Sequence, residues 1–356
     1  METVKFTPNN EFRKTLKKRV ADYFKENNVS KYGNYSMILK TIFMITLFYA
    51  PFVLYVVGIF DNIGLNLMLW CIVGLGMSGI GLSIMHDANH GSYSKNKTVN
   101  TILGYMLNFM GGHALNWKVQ HNVLHHTYTN VTHMDEDLNA DPLMRFTPDQ
   151  PRKKLHKFQH LYAWFFYCWL SASWIFTKDF KQLFDFRDRG LLGNKKFPAL
   201  LTELIISKLL YFGYMIALPL AIRPELWWVT ILGFFIMHWI CGLVLSCIFQ
   251  LAHVMPNAEF PTIDEGKLDM SFEEHQLHTT ANFSQKSPVF TWLIGGLNYQ
   301  IEHHLFPHIC HVHYRKISKI VKETAQEFNM PYHTQKSFVG ALWNHGKLLK
   351  KLGRKD

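Results

Sequence analysis

The sequence predicts an all-α integral membrane protein: four transmembrane helices in two hairpins, with a histidine-bearing helical cap on the cytoplasmic side. Of the 356 residues, 48% are hydrophobic and 15% aromatic, and they concentrate in long runs without charge. The formal net charge of +11 lies between these runs and toward both ends of the chain. A nucleic-acid-binding protein can be as basic, but its charges do not alternate with apolar runs of about twenty residues. That class is therefore excluded.

The first hairpin is predicted from residues 41–60 and 64–84, neither of which contains a charged side chain. Runs of this length cross the roughly 30 Å of membrane hydrocarbon. Pro51 should kink the first span, which a membrane helix tolerates. The connecting turn has no Lys or Arg, so the positive-inside rule places the basic leader and the end of the second span in the cytoplasm. A further apolar run, 101–112, is too short to cross and is predicted to lie in the interface.

Two histidine motifs follow the first hairpin. In an α-helix, residues four apart lie on one face. His86 and His90 therefore direct two imidazoles at one place, as do His121 and His125, with His126 beside them. Imidazole suits iron, copper, zinc and nickel, and so many nitrogen donors exceed what one ion needs. The motifs predict a two-metal site at the membrane surface.

A third motif, far downstream, supplies His303 and His304. It can share a site with the second motif only if an even number of crossings separates them. The apolar runs 204–222 and 226–252 provide two crossings and form the second predicted hairpin. The aromatic run 161–177 would make a third, and it is therefore predicted to be interfacial or only partly inserted.

The sequence outside the apolar body is basic at both ends. Residues 1–40 are predicted to be a basic amphipathic segment, either on an anionic membrane surface or as a solvated leader. Residues 41–313 form the predicted membrane domain, and 314–356 a basic, amphipathic cytoplasmic tail. Both termini and the metal site are expected on the cytoplasmic side. The five cysteines contain no CxxC pair, so no disulfide framework is expected.

The three motifs also carry a family resemblance. HDANHGS, HNVLHHTYTN and QIEHHLFPH resemble, in order and spacing, the three histidine boxes of the integral-membrane fatty acid desaturases. The resemblance extends over most of the chain and includes the Leu305-Phe306-Pro307 that follows the third motif. It implies that residues 41–313 are a membrane desaturase domain with a non-haem centre of two iron ions.

The resemblance also implies a ligand set. It adds His253, at the end of the last apolar run, to the histidines of the three motifs. The predicted iron ligands are His86, His90, His121, His125, His126, His253, His303 and His304.

Four other side chains are candidates for holding those imidazoles, because a ligating ring needs an acceptor for its second nitrogen. Asp87 and Glu302 lie inside motifs, and His275 lies in a stretch that resembles one preceding the third box. Gln300 opens the third motif, as in desaturases of the front-end type, which act between an existing double bond and the carboxyl end. Because an amide is a weak nitrogen donor, we expect Gln300 to bond a water molecule or a ligating histidine.

Four acidic residues and one further histidine lie outside this ligand set. Asp135, Glu136, Asp137 and Asp141 follow the second motif; a solvated turn is the favoured interpretation, and support of the ligating imidazoles is the alternative. His238 lies inside the last apolar run and is predicted to pair with another helix.

The implied reaction removes two vicinal hydrogens from a fatty acyl chain and gives a cis double bond and water. An unactivated methylene has no acidic proton, so the chemistry must come from metal, dioxygen and two electrons. The expected partners are a fatty acyl lipid or CoA ester, dioxygen and membrane lipid, with no nucleic acid. The sequence has no haem-binding His-Pro-Gly-Gly, so electrons are expected from a separate donor such as ferredoxin or cytochrome b5.

Three alternative functions use some of the same features. A hydroxylase or other monooxygenase shares the hydrogen abstraction and differs only in the second step, which spacing cannot distinguish. A metal transporter would place its ligands near the membrane midplane, whereas these histidines lie at the ends of the apolar runs. A zinc hydrolase would need a general base, as in H-E-x-x-H, and that motif is missing from the sequence.

Overall fold

The computed structural model describes residues 4–354 and consists mainly of helices. In chain order they are α1 (Asn10–Glu26), α2 (Tyr35–Val56), α3 (Ile63–Asn89), α4 (Lys97–Gly104), α5 (Met106–Phe109), α6 (Ala114–Trp117), α7 (Gln159–Cys168), α8 (Leu170–Ser173), α9 (Asp179–Asp188), α10 (Phe197–Ile222), α11 (Pro224–His253), α12 (Phe272–Thr279), α13 (Pro288–Leu293), α14 (Gln300–Leu305), α15 (Tyr314–Glu327) and α16 (Phe338–Leu352). Helical segments with π geometry are Ile80–Met85, Lys118–His125, Trp174–Lys178 and Gly213–Ala217, and short 3-10 turns are Lys154–Phe158, Pro224–Leu226 at the start of α11, and His311–His313.

Four helices in the described range, α2, α3, α10 and α11, are long and apolar enough to cross a membrane. Their number confirms the prediction, and the aromatic run 161–177 is not among them. Helices α2 and α3 each begin at an asparagine cap, so a polar residue, and not the start of the apolar run, sets the first residue of the helix. The Asn34 side chain accepts from the Met37 N–H at 3.3 Å, and Asn62 accepts from the Leu65 N–H at 3.0 Å, satisfying backbone donors that a helix start leaves free.

Helix α3 packs between α2 and α11. A Cβ at Gly76 would lie 2.5 Å from the Phe48 nitrogen, so only glycine allows the α2 and α3 backbones to approach this closely. The Tyr55 and Thr230 hydroxyls, 2.7 Å apart, link α2 to α11. On the outer faces of α2 and α10, Ile42 and Leu209 are 58% and 66% exposed. Such apolar surface is suited to contact with lipid.

The segment from α7 to α9 runs beside α11 and then reaches α10. The Ser171 hydroxyl donates to the His238 carbonyl at 2.9 Å, and the buried Asp179 carboxylate pairs with Lys208 of α10 at 2.5 Å. Lys208 also donates to the Gly111 carbonyl at 2.5 Å. These contacts hold the segment from α7 to α9, which follows the second histidine motif in the chain, against α10 and α11.

The remaining elements form a layer over one end of the spans. Helix α1 buries Phe12, Leu16 and Val20 in a cluster with α15, so its apolar face contacts protein. Two short parallel strand pairs add to this layer: β1 (Lys5–Phe6) with β2 (Lys267–Leu268), and β3 (Ala281–Phe283) with β4 (His333–Gln335). The histidine motifs lie beneath it, where α3 and α11 end.

Candidate metal centre

The first histidine motif lies at the end of α3, directly after a π-helical segment, Ile80–Met85. Such segments shift the helical register and are frequent at functional sites. The rings of His86 and His90 are 4.7 Å apart between centroids. His86 is fully buried, and Nε2 of the partly buried His90 is also inside the protein, so the two imidazoles meet away from solvent.

The second motif is π-helical, which differs from the predicted α-helix. In Lys118–His125 the His126 N–H donates to the His121 carbonyl, five residues back. The i,i+5 pair therefore also shares a face, and the Nε2 atoms of His121 and His126 are 3.3 Å apart. His125 still stacks on His121, with ring centroids 5.2 Å apart. The wider turn brings all three rings to one place.

The third motif, in α14, meets the second from the opposite side. The Nε2 atoms of His303 and His126 are 3.0 Å apart, and His304 stacks on His126 at 4.4 Å. His253, the last residue of α11, lies 4.7 Å from the His125 ring and 4.8 Å from the His304 ring.

All eight histidines predicted as ligands converge in one buried chamber. Two groups each have ring nitrogens within 4.8 Å of one another: His86, His90, His121 and His303, and then His125, His253 and His304. His126 contacts both groups. Two adjoining groups of nitrogen donors match what two metal ions would need.

Carboxylates from the loop after the second motif hold two of these rings from outside. Asp135 accepts from Nδ1 of His125 at 2.9 Å, and Asp137 accepts from Nδ1 of His121 at 3.0 Å. The solvated turn favoured from the sequence is therefore wrong for these two aspartates. Asp141 is exposed and pairs with Lys153 at 2.9 Å.

Three more rings have an outside partner at Nδ1. Tyr314 lies 3.1 Å from Nδ1 of His303, Gln276 accepts from Nδ1 of His304 at 2.8 Å, and the Thr279 carbonyl lies 3.4 Å from Nδ1 of His253. Sequence reasoning missed Gln276 and Tyr314. The one available signal was the position of Gln276 between two histidines that were singled out, His275 and His278.

The four side chains predicted to hold ligating rings lie in different surroundings. Asp87 accepts from His311 at 2.8 Å, and its other oxygen is 3.7 Å from Nδ1 of His86.

Glu302 accepts from Asn282 and Tyr332, both at 2.8 Å. Gln300 is buried, with no hydrogen-bond partner for its side-chain nitrogen among the described residues. His275 packs against the Phe6 ring at 5.6 Å.

The chamber favours neutral imidazoles. Burial lowers the pKa of His126, His303 and His304 well below its usual range. Burial also lowers the pKa of His121 to about 4, although Asp137 opposes the shift. At His125 burial again favours the neutral ring, but the charges of Asp135 and Asp137 outweigh it and raise the pKa to about 9. Metal binding requires the neutral ring and would release that proton.

The ring nitrogens that face inward fit a metal. Because Asp137 accepts from Nδ1 of His121, its Nε2 carries a lone pair, and this lone pair faces Nε2 of His126. Nε2 of His90, His253 and His304 is buried without any hydrogen-bond partner in residues 4–354. Unpartnered polar atoms are costly inside a protein, and one cation in each of the two groups would satisfy these lone pairs.

An apolar cavity lies among α3, α8 and α11, and a second cavity reaches His121. Trp174 lines both. The walls of the first include Met77, Gly81, Met85, Leu107, Ile175 and Leu245. Apolar space in the spans thus adjoins the chamber.

A buried set of nitrogen donors that could hold metal thus lies at the ends of helices that are long and apolar enough to cross a membrane. A sequence model of the fatty acid desaturase family matches residues 64–336, which include all three histidine motifs. The chain belongs to the fatty acid desaturase family.

Individual relatives agree with this assignment. The chain is 34% identical to the sn-1 linoleoyl-lipid 6-desaturase of Synechocystis sp. over 99% of this chain and 98% of that protein. It is 35% identical to the protein of the same name from Arthrospira platensis, over 96% of this chain and 92% of that protein. The acyl-lipid (8-3)-desaturase of Physcomitrium patens is 36% identical over 97% of this chain and 72% of that protein. The protein is thus a fatty acyl desaturase, an oxidoreductase, and the hydroxylase alternative is not favoured.

Proposed function

We propose that the chamber holds two iron ions and that the protein desaturates a lipid-linked acyl chain with dioxygen and two electrons. The observation that carries this proposal is the position of Nε2 of His126, which lies 3.3 Å from Nε2 of His121 and 3.0 Å from Nε2 of His303. Lone pairs that face one another repel unless a proton or a metal cation lies between them, and one proton on Nε2 of His126 can serve only one of its two contacts. The eight predicted histidines would act as ligands in two adjoining groups.

When bound, iron supplies the dioxygen chemistry that can remove hydrogen from an unactivated methylene. The chain's own residues orient the ligating imidazoles and exclude water from the reacting carbons. Asp135, Asp137, Gln276 and Tyr314 fix ring tautomers by engaging Nδ1 and leaving Nε2 directed inward. Each turnover converts one CH2–CH2 pair to CH=CH and, with two electrons and two protons, dioxygen to two waters.

We infer that the acyl chain enters between the apolar side chains beside the chamber, where the cavity of about 20 Å³ would widen to hold it. Met77, Met85 and Leu245 line this cavity with flexible apolar side chains, which exclude water from the reacting carbons. Trp174 lies where this cavity and the one at His121 meet. Placement of one methylene pair at the metals would decide the position of the new double bond.

The names of the relatives suggest the substrate. The proteins from Synechocystis sp. and Arthrospira platensis, matched over nearly their full length, are named for 6-desaturation of linoleoyl lipids. We therefore propose an acyl-lipid substrate and position 6 for the new bond. The Gln300 that opens the third motif is consistent with a front-end desaturase.

We propose that the spans form two hairpins with the histidine cap on the cytoplasmic side. Asp61 is the one charged side chain in the connection between α2 and α3, whereas α1 and α15 carry several lysines on exposed positions. The positive-inside rule places these helices in the cytoplasm. A separate carrier such as ferredoxin or cytochrome b5 would deliver electrons to this side.

The test is to express the chain in a host supplied with linoleate and either electron donor. Lipids are then analysed by mass spectrometry that locates double bonds. We expect a product two hydrogens lighter than linoleate with a new bond at position 6. A product heavier by one oxygen, or unchanged lipids with both donors, contradicts the proposal. A new bond elsewhere contradicts only the assignment of position 6.

A further inference from the structure

A buried polar network lies behind the first histidine motif, and its members have no part in the reaction proposed above. Lys40 in α2 has 1% of its surface exposed, and its Nζ lies 2.6 Å from Nε2 of His311. Nδ1 of His311 lies 2.8 Å from Oδ2 of Asp87. Residues 271 positions apart in the chain thus meet beside the chamber.

The direction of each hydrogen bond follows from the chemistry of these groups. An ammonium only donates, so Nε2 of His311 accepts from Lys40, and its proton must be on Nδ1. That N–H donates to Asp87, as does the backbone N–H of His311 at 3.2 Å. Both donors engage Oδ2. The carboxylate is thereby held in one orientation.

The other carboxylate oxygen faces the metal chamber. Oδ1 of Asp87 lies 3.7 Å from Nδ1 of His86, a distance too long for a hydrogen bond. The rings of His121 and His125 have carboxylate partners at 2.9–3.0 Å. Of these three contacts between an imidazole and a carboxylate, the one from His86 to Asp87 is the longest. Asp87 is also the carboxylate that the buried His311 and Lys40 hold from behind.

We propose that Lys40 and His311 are positioning residues that orient Asp87 toward His86 and so direct that imidazole at the metal. The proposal rests on the metal centre proposed above. A buried lysine is costly unless it is paired, and the Asp87 charge offsets it through His311. The Lys40 ammonium also lies 5.2 Å from the centre of the Trp292 ring, which adds a cation–π contact.

A second metal site is the competing interpretation, because ligand atoms of Asp87, Cys310 and His311 lie within 4.8 Å of one another. Both ring nitrogens of His311 are already engaged, one by Asp87 and one by Lys40. An ammonium in direct contact with the ring also repels another cation. The geometry favours the positioning role.

Variants at His311 separate positioning from packing. An asparagine amide lies where Nδ1 does and retains a donor for Asp87. A glutamine amide lies nearer Nε2 and loses that donor. We expect His311→Gln and Lys40→Met to retain iron 10–100-fold less tightly than the wild type, the usual effect of removing support from a ligating imidazole. His311→Asn should retain iron nearly as tightly as the wild type.

The measurement is iron retained by the purified full-length protein against increasing chelator, together with the visible absorption spectrum after loading with Co²⁺. The control is His238→Gln, which removes another buried histidine that joins two partners away from the chamber. It should lower thermal stability and leave iron retention and the Co²⁺ spectrum unchanged.

Equal iron retention by His311→Asn and His311→Gln would overturn the proposal, even if Lys40→Met fails to fold. An unchanged Co²⁺ spectrum in both His311 variants would do the same. If the wild-type protein itself binds neither ion, the proposed metal centre fails, which is a distinguishable result.

Discussion

Two sets of buried histidines in this protein differ in what their ring nitrogens contact. His238, inside α11, lies 3.0 Å from the Ser171 hydroxyl through Nδ1 and 2.7 Å from the Tyr211 hydroxyl through Nε2. The predicted pairing of His238 with another helix is confirmed. In the metal chamber one nitrogen of a ring such as His304 bonds the protein, while Nε2 is buried without a partner.

The difference shows that burial alone does not identify a metal ligand. A ring with both nitrogens satisfied by the protein has no lone pair to give, and its role is to join helices. The chamber instead collects lone pairs that cost stability in the metal-free protein. Convergence of such atoms, not the number of histidines, is what marks the site.

The largest expected effect comes from removing chamber ligands. His125→Ala and His303→Ala should each abolish desaturation and lower the iron content, since neither ring can be replaced by a neighbour. Product mass spectrometry and iron analysis of the membrane-inserted protein measure this. His238→Gln serves as the matched control and should retain both properties. Normal turnover in both alanine variants would refute the site.

The outside carboxylates should have an intermediate effect. Asp135→Asn and Asp137→Asn keep the shape but weaken the bonds that orient His125 and His121, so we expect iron affinity or activity to fall about 10–100-fold. Asp141→Asn, in the same loop but exposed and paired with Lys153, should change neither. Equal behaviour of all three variants would show that the loop acts only through its fold.

The structural histidine should give the smallest effect on chemistry and a measurable one on stability. His238→Gln leaves Tyr211 or Ser171 without its buried partner, which costs about 1–3 kcal/mol. Thermal unfolding in detergent should show the loss while iron per chain stays constant. If iron falls in parallel with stability, the two histidine sets are not independent.

The sequence by itself determined the membrane class, the number of candidate spans and the histidine pairs within each motif, and its family resemblance implied the full set of eight histidines. The spans and the pairs are local features. A span is defined by its uncharged length, and spacing within one helix brings ring pairs to one face. Boundaries were less well determined: α2 begins at Tyr35, before the uncharged run, because the cap at Asn34 rather than hydrophobicity starts the helix.

Only the tertiary structure decided which side chains hold the imidazoles. Glu302, chosen because it lies inside a motif, bonds Asn282 and Tyr332 instead of a ligating ring. Adjacent residues on a helix point about 100° apart, and Glu302 turns away from the neighbouring His303 to reach these two partners. Asp135 and Asp137 reach their rings through the fold of the loop.

The second motif and the Lys40 network show the same limit. The π-helical turn of the second motif brings His126 over His121. This turn depends on the packing around it, so the spacing of residues in the sequence does not reveal it. Lys40 and His311 lie in different elements and meet only when α2 docks against the turn that follows the third motif. Contacts of this kind depend on how distant segments pack, and residue spacing contains no record of that.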